Sequence, residues 1–150
     1  MIRCEDWSHR LTAYIARTAT IPFQWGVQDC CLWALGALDA MWGMRHAELI
    51  RGQYHDADGA VLYANRRGWK SSVEACQEFC GPPYVSIFEV GDGDLCTRAT
   101  PDFPWGTVFV RYRAYLIGPD NAGLVAVPSK ILWVDSGRWV AFPGGSEKCH

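Results

Sequence analysis

The apolar positions of the first half fall at helical spacing. From Glu5 to Thr18, the residues Trp7, Leu11, Tyr14, Ile15 and Thr18 lie on one helix face. Thr20-Ile21-Pro22 ends that pattern, because proline disfavours a helical residue before it. A second helix is expected from Cys30 to about Met41, with Asp29 as a good N-cap type and Gly43 as the stop. It is apolar nearly all round, which places it at the centre of a fold. A short helical piece is expected from His46 to Arg51. Another begins at Asp56 and runs towards Gly68. A further one is capped by Ser71 or Ser72, carries Val73, Cys76 and Cys80 on one face, and stops at Gly81-Pro82-Pro83.

After Pro83 the period changes. The runs Tyr84 to Val90, Leu95 to Arg98, Thr107 to Tyr112, Ala114 to Ile117, Leu124 to Val127 and Arg138 to Phe142 are rich in β-branched and aromatic residues. Gly, Pro, Asp and Asn punctuate them, as for antiparallel strands and turns. Helices first and strands after argue an α+β fold in one domain over residues 1–150, not alternating βαβ units. The segment 143–150, rich in glycine, is expected to be a flexible tail.

Composition changes this picture little. At 150 residues, 49% hydrophobic and 20% charged, the chain suits one globular domain. A net charge of −2 lacks the basic excess of a nucleic-acid binder, and Arg66-Arg67 reads as a solvated helix end. There is no run of 18 apolar residues, so no transmembrane helix is expected, and the start of the chain does not read as a signal peptide. Synthesis in a cytoplasm follows as the expectation. Eight Trp are many, and exposed ones would suit a partner surface. Seven Cys without a secretion signal argue against a disulfide framework. Cys76 and Cys80 share a helix face and could suit a metal, with Cys4, Cys96 or a histidine completing the set. The plainer reading makes both small buried apolar residues, with no metal and no cofactor.

The most specific stretch is Pro22-Phe23-Gln24-Trp25-Gly26-Val27-Gln28-Asp29-Cys30-Cys31. An aromatic-Trp-Gly turn leads into Asp-Cys, and the cysteine opens the central helix. The first N–H groups of a helix are unpaired and its dipole end is positive, so a thiolate is favoured there. The same N–H groups can hold an oxyanion. Cys30 is therefore the candidate nucleophile. Read without any relative, Trp25-Gly26 is a packed turn and Cys30 a core thiol.

These residues resemble the NlpC-like family of bacterial and phage cell-wall hydrolases, which have a papain-like fold. That family has an aromatic-x-Trp-Gly turn before Asp-Cys, and later a Gly-Asp-Leu at a strand start, here Gly93-Asp94-Leu95. In papain-like enzymes a side-chain amide upstream of the nucleophile adds an oxyanion donor, and Gln24 is the candidate. The chain is also similar to a group of short proteins from tail gene clusters of phages and prophages. That likeness rests on Pro22-Phe23-x-Trp25-Gly26-x-x-Asp29-Cys30, Arg51-Gly52-x-Tyr54 followed by Gly59-Ala60, Gly93-Asp94-Leu95, and Gly123-Leu124-x-x-Val127-Pro128, over roughly residues 5 to 135. The implied architecture is N-terminal helices around a buried central helix, then a small antiparallel sheet.

The resembled hydrolases place a His at the start of the strand after Gly-Asp-Leu, where it takes the thiol proton and later protonates the leaving amine. The matching region here, Pro104 to Val110, has none. His9, His46, His55 and His150 are expected at the surface; Asp29 reads as a cap, Asp94 as a turn residue, and Asp92 is the third local carboxylate. Three readings follow. In the first, the chain is a pseudoenzyme that binds phage tail hub or tip proteins and is assembled into the virion tail, with exposed Trp as anchors. In the second, it is a cysteine peptidase or amidase that cuts peptidoglycan stem peptides as DNA enters the cell. In the third, some of the seven Cys hold a metal or iron–sulfur cluster.

Overall fold

The computed structural model describes residues 1–146. Helices α1 (Trp7–Thr18), α2 (Cys30–Trp42), α3 (His46–Ile50), α4 (Ala57–Arg66) and α5 (Ser72–Cys80) come first. Strands β1 (Leu95–Arg98), β2 (Thr107–Tyr112), β3 (Tyr115–Asp120), β4 (Gly123–Pro128) and β5 (Val140–Phe142) follow, with a one-turn helix α6 (Ile131–Val134) before the last. All pairings are antiparallel, in the order β4-β3-β2-β1-β5. The fold is α+β.

Helix α2 is the axis of the molecule. Asp29 caps it, accepting from Leu32 N–H at 2.9 Å, and Gly43 ends it in the left-handed region at φ +70°. Trp33, Ala37 and Met41 are wholly buried within it. Helix α1 packs close because α2 presents Gly36 to it: a Cβ there would lie 2.3 Å from Tyr14 Oη. Tyr14 Oη donates to Trp33 O at 2.8 Å, and Trp33 Nε1 donates to Thr18 Oγ1 at 2.9 Å, so the polar tips of this interface are satisfied. At α4, Asp56 Oδ1 accepts from Gly59 N–H. Ser71 holds the cap position of α5 without a side-chain cap bond, and Ser72 instead bonds Thr97 across the core.

The sheet sorts its residues by the two-residue period of a strand. Leu95, Val108, Val110, Ile117 and Phe142 face the core that surrounds α2. Cys96, Phe109, Leu116 and Ala141 face a second, smaller core closed by Val90, Leu132 and Trp139. The second core corrects one expectation. Residues 84 to 90 form no strand; Ile87–Glu89 is a single 3₁₀ turn, capped reciprocally by Ser86 and Glu89.

A second correction concerns the expected flexible tail. Gly144 O accepts from Arg3 Nε at 3.2 Å and from Trp42 Nε1 at 2.9 Å, and Ser146 pairs with Ile2 as an isolated parallel bridge. Residues 143–146 are thus held; residues 147–150 lie outside the described residues. Among the described residues no helix is long and apolar enough to cross a membrane.

Candidate functional site

The Trp-Gly…Asp-Cys element is a turn organised by one carboxylate. Gln24 and Gln28 pair as an antiparallel bridge, and Asp29 follows in extended conformation. Besides Leu32 N–H, the carboxylate accepts Gly26 N–H at 3.0 Å and Tyr54 Oη at 2.5 Å. Gly26 is required twice over. Its φ is +75°, and a Cβ would lie 1.8 Å from Tyr54 O. Trp25 stands edge-on to Phe23 at 4.9 Å and meets Phe103 at 6.3 Å, so the turn is packed on both sides.

Cys30 therefore sits on the first turn of α2, with 7% of its surface exposed. Its sulfur lies 4.0 Å from Cys31 Sγ. The Cys31 thiol, and then the Val108 N–H at the start of β2, hold the Cys30 thiol below its ordinary range, against burial. Cys31 moves the other way: bonding to Cys30 and burial keep its thiol well above.

No base accompanies it among the described residues. The start of β2 carries Thr107 and Val108, neither of them a base, and Thr107 O is occupied by Thr97 Oγ1. The oxygens of Asp29 are spent on the turn. Asp92 accepts from Arg113 N–H. His9 and His55 are exposed, and His55 follows the inward-pointing Tyr54. His46, expected at the surface, is half-buried: its Nδ1 bonds Asp39 Oδ1 at 2.8 Å and its ring is edged by Trp42 and Phe79. Asp39 lies nine positions beyond Cys30 on the same helix, about 13 Å along its axis. His150 lies outside the described residues. Gln24 is exposed, six positions before Cys30.

Gly93 and Asp94 lie elsewhere. A Cβ on Gly93 would meet Met41 Sδ at 2.7 Å, near the C-terminal end of α2. Asp94, expected as a turn residue, is buried. It pairs with Arg3 at 3.0 Å and also accepts Gly144 N–H, Tyr84 Oη and Gly91 N–H. That part of the motif ties both ends of the described chain to the sheet and does not meet the thiol.

A family model described as a domain of unknown function (DUF6950) matches residues 2–132. The chain belongs to this family. No curated protein matches it. The DUF6950 match takes in the Trp-Gly turn, Cys30, Gly93-Asp94 and four of the five strands, but not β5.

The unpaired buried donors were not legible beforehand. Three buried side-chain donors lack partners among the described residues: Gln28 Nε2, Trp69 Nε1 and Trp139 Nε1. Burial pushes the Cys76 thiol well above its ordinary range, and those of Cys80 and Cys96 up to about 12. Among the described residues no three His, Cys, Asp or Glu stand together in a group able to hold a metal.

Proposed function

We propose that the chain is a structural or assembly protein of a bacteriophage tail tip, built on a papain-like, NlpC-like hydrolase fold whose catalytic set is incomplete. It is made in the host cytoplasm and joins the virion tail by docking on hub or tip proteins. The observation that carries this reading is that no imidazole among the described residues serves Cys30: His9 and His55 are exposed, and His46 is bonded to Asp39 towards the far end of α2, so nothing there carries a proton to a leaving amine.

An exposed aromatic pair supports docking. Phe88 (74% exposed) and Trp133 (41%) stack with ring centroids 4.9 Å apart and planes within 9°, and exposed Val85 and Val134 are close in sequence. Of the eight Trp, four are buried, three half-buried, and Trp133 alone is exposed. One aromatic platform, not a scatter of Trp anchors, is the surface offered to a partner.

The lowered Cys30 thiol favours a second reading, a cysteine peptidase acting on peptidoglycan with a base lent by a neighbouring subunit. Incubating purified sacculi with wild type and with Cys30→Ser separates the two. The structural reading expects no released stem peptides from either, and expects the chain in purified tails by mass spectrometry. Release that depends on Cys30 establishes the enzyme instead, and absence from the tails removes the structural reading.

A further inference from the structure

Between α2, α4 and α5 the main core is hollow. A pocket of about 120 Å³ lies there, walled by Leu35 and Leu38 of α2 and by Ala57, Ala60 and Ala64 of α4. The three alanines follow helical spacing and share one face. Larger aliphatic side chains at those positions would fill the space, and native interiors leave few voids larger than a water molecule. Val61 of α4, 48% exposed, also lines the pocket.

A second observation is independent of the alanines. Trp69 lines the same pocket and is only 9% exposed, and its Nε1–H has no partner among the described residues. Trp33 and Trp42, in the same core, both place their N–H groups on oxygens. A buried donor left unpaired is uncommon and costly, and a bound acceptor would relieve it. The walls otherwise offer hydrocarbon, aromatic rings and thiols. The one carboxylate that reaches the pocket, Asp29, already has its three donors. An anionic guest would find no counter-ion, and a cationic one only a carboxylate whose oxygens are already engaged.

We propose that this pocket binds a small neutral molecule, about one aromatic ring in size, carrying a single hydrogen-bond acceptor that takes the Trp69 N–H. The volume suits it, since an apolar cavity of roughly 150 Å³ takes up benzene. Cys30 and Cys31 line the same pocket, so the guest would lie beside the candidate nucleophile; the proposal itself is carried by the alanine wall and Trp69.

The test uses two probes of similar shape, acetophenone with an acceptor and ethylbenzene without one. Each is titrated into the reduced, ¹⁵N-labelled protein, and the Trp69 indole resonance is assigned from Trp69→Phe. Acetophenone is expected to bind saturably, move that resonance, and bind at least about fivefold more tightly than ethylbenzene. Trp69→Phe should erase the preference, and Ala60→Leu should abolish binding of both probes. The proposal is overturned by the absence of saturable binding, by equal affinity for the two probes in the wild type, or by a folded Ala60→Leu protein that binds as before. Should Ala60→Leu not fold, the ratio of affinities in wild type and Trp69→Phe decides.

Discussion

Tyr54 donates its hydroxyl to Asp29 at 2.5 Å, joining the loop after α3 to the residue that caps the central helix. The same Tyr54 offers its carbonyl face to Gly26, so the Trp-Gly turn, the cap and the loop form one unit. Asp29 serves three donors in this unit, and its geometry sets where Cys30 stands.

Tyr54→Phe should therefore destabilise the protein by about 1–3 kcal/mol, the cost of leaving a buried carboxylate oxygen short of a donor. Asp29→Ala should cost more, since it removes the helix cap as well and strands Gly26 N–H. Urea denaturation of the three proteins checks the order. Equal stability of wild type and Tyr54→Phe would show that the bond does not hold the turn.

The buried pair Arg3–Asp94 is expected to behave as a knot. Arg3→Met should cost about 3 kcal/mol, because a carboxylate is left buried without its counter-charge. Asp94 keeps three other donors in that variant, which holds the loss near the low end of the range for such pairs. Asp94→Ala should cost at least as much. A double-mutant cycle on these two residues, measured by chemical denaturation, should show strong coupling.

Stability should fall in alkali. Burial raises the thiols of Cys76, Cys80 and Cys96 in the folded chain, the latter two to about 12, while an unfolded thiol titrates near about 8.5. Above about pH 8.5 the unfolded chain releases protons that the folded chain keeps, so unfolding is favoured as pH rises. The slope approaches about 1.4 kcal/mol per pH unit for each thiol until the folded group ionises. Of the adjacent pair, the raised Cys31 thiol adds to this decline and the lowered Cys30 thiol opposes it. Urea midpoints between pH 7 and 10.5 under reducing conditions should decline, and Cys96→Ala should flatten the decline. A midpoint that does not move with pH would contradict the burial of these groups.

The Phe88–Trp133 platform should matter little to the folded chain by itself. Phe88→Ser with Trp133→Ser is expected to change stability by less than about 1 kcal/mol, since both side chains are exposed. The same double variant should lose incorporation into phage tails, measured by quantitative mass spectrometry of purified particles. Normal incorporation would move the docking surface elsewhere on the chain.

The helical half was readable in advance because its signals are local. The apolar surround of α2, its Asp29 cap and its Gly43 stop are all contained within 15 residues. The strands around β2 and β3 announce themselves by their β-branched and aromatic residues. Val85-Ser86-Ile87-Phe88 is rich in the same residues, yet Ser86 and Glu89 carry the spacing of a capping box, and that local bonding prevails over strand pairing. The pairing of Arg3 with Asp94 spans 91 positions and leaves no periodic trace, so the true role of Asp94 could not be read from its neighbours. The pocket was equally hidden: Ala57, Ala60 and Ala64 read as ordinary good helix formers until α2 and α5 stand opposite them.

The solitary exposure of Trp133 has an optical consequence. Seven other indoles are wholly or half sheltered by the fold, while this one meets solvent beside Phe88. A water-borne quencher such as iodide will therefore extinguish mainly the light of a single residue. Any partner that settled on the platform would shade it, so the native chain would report such docking without a label.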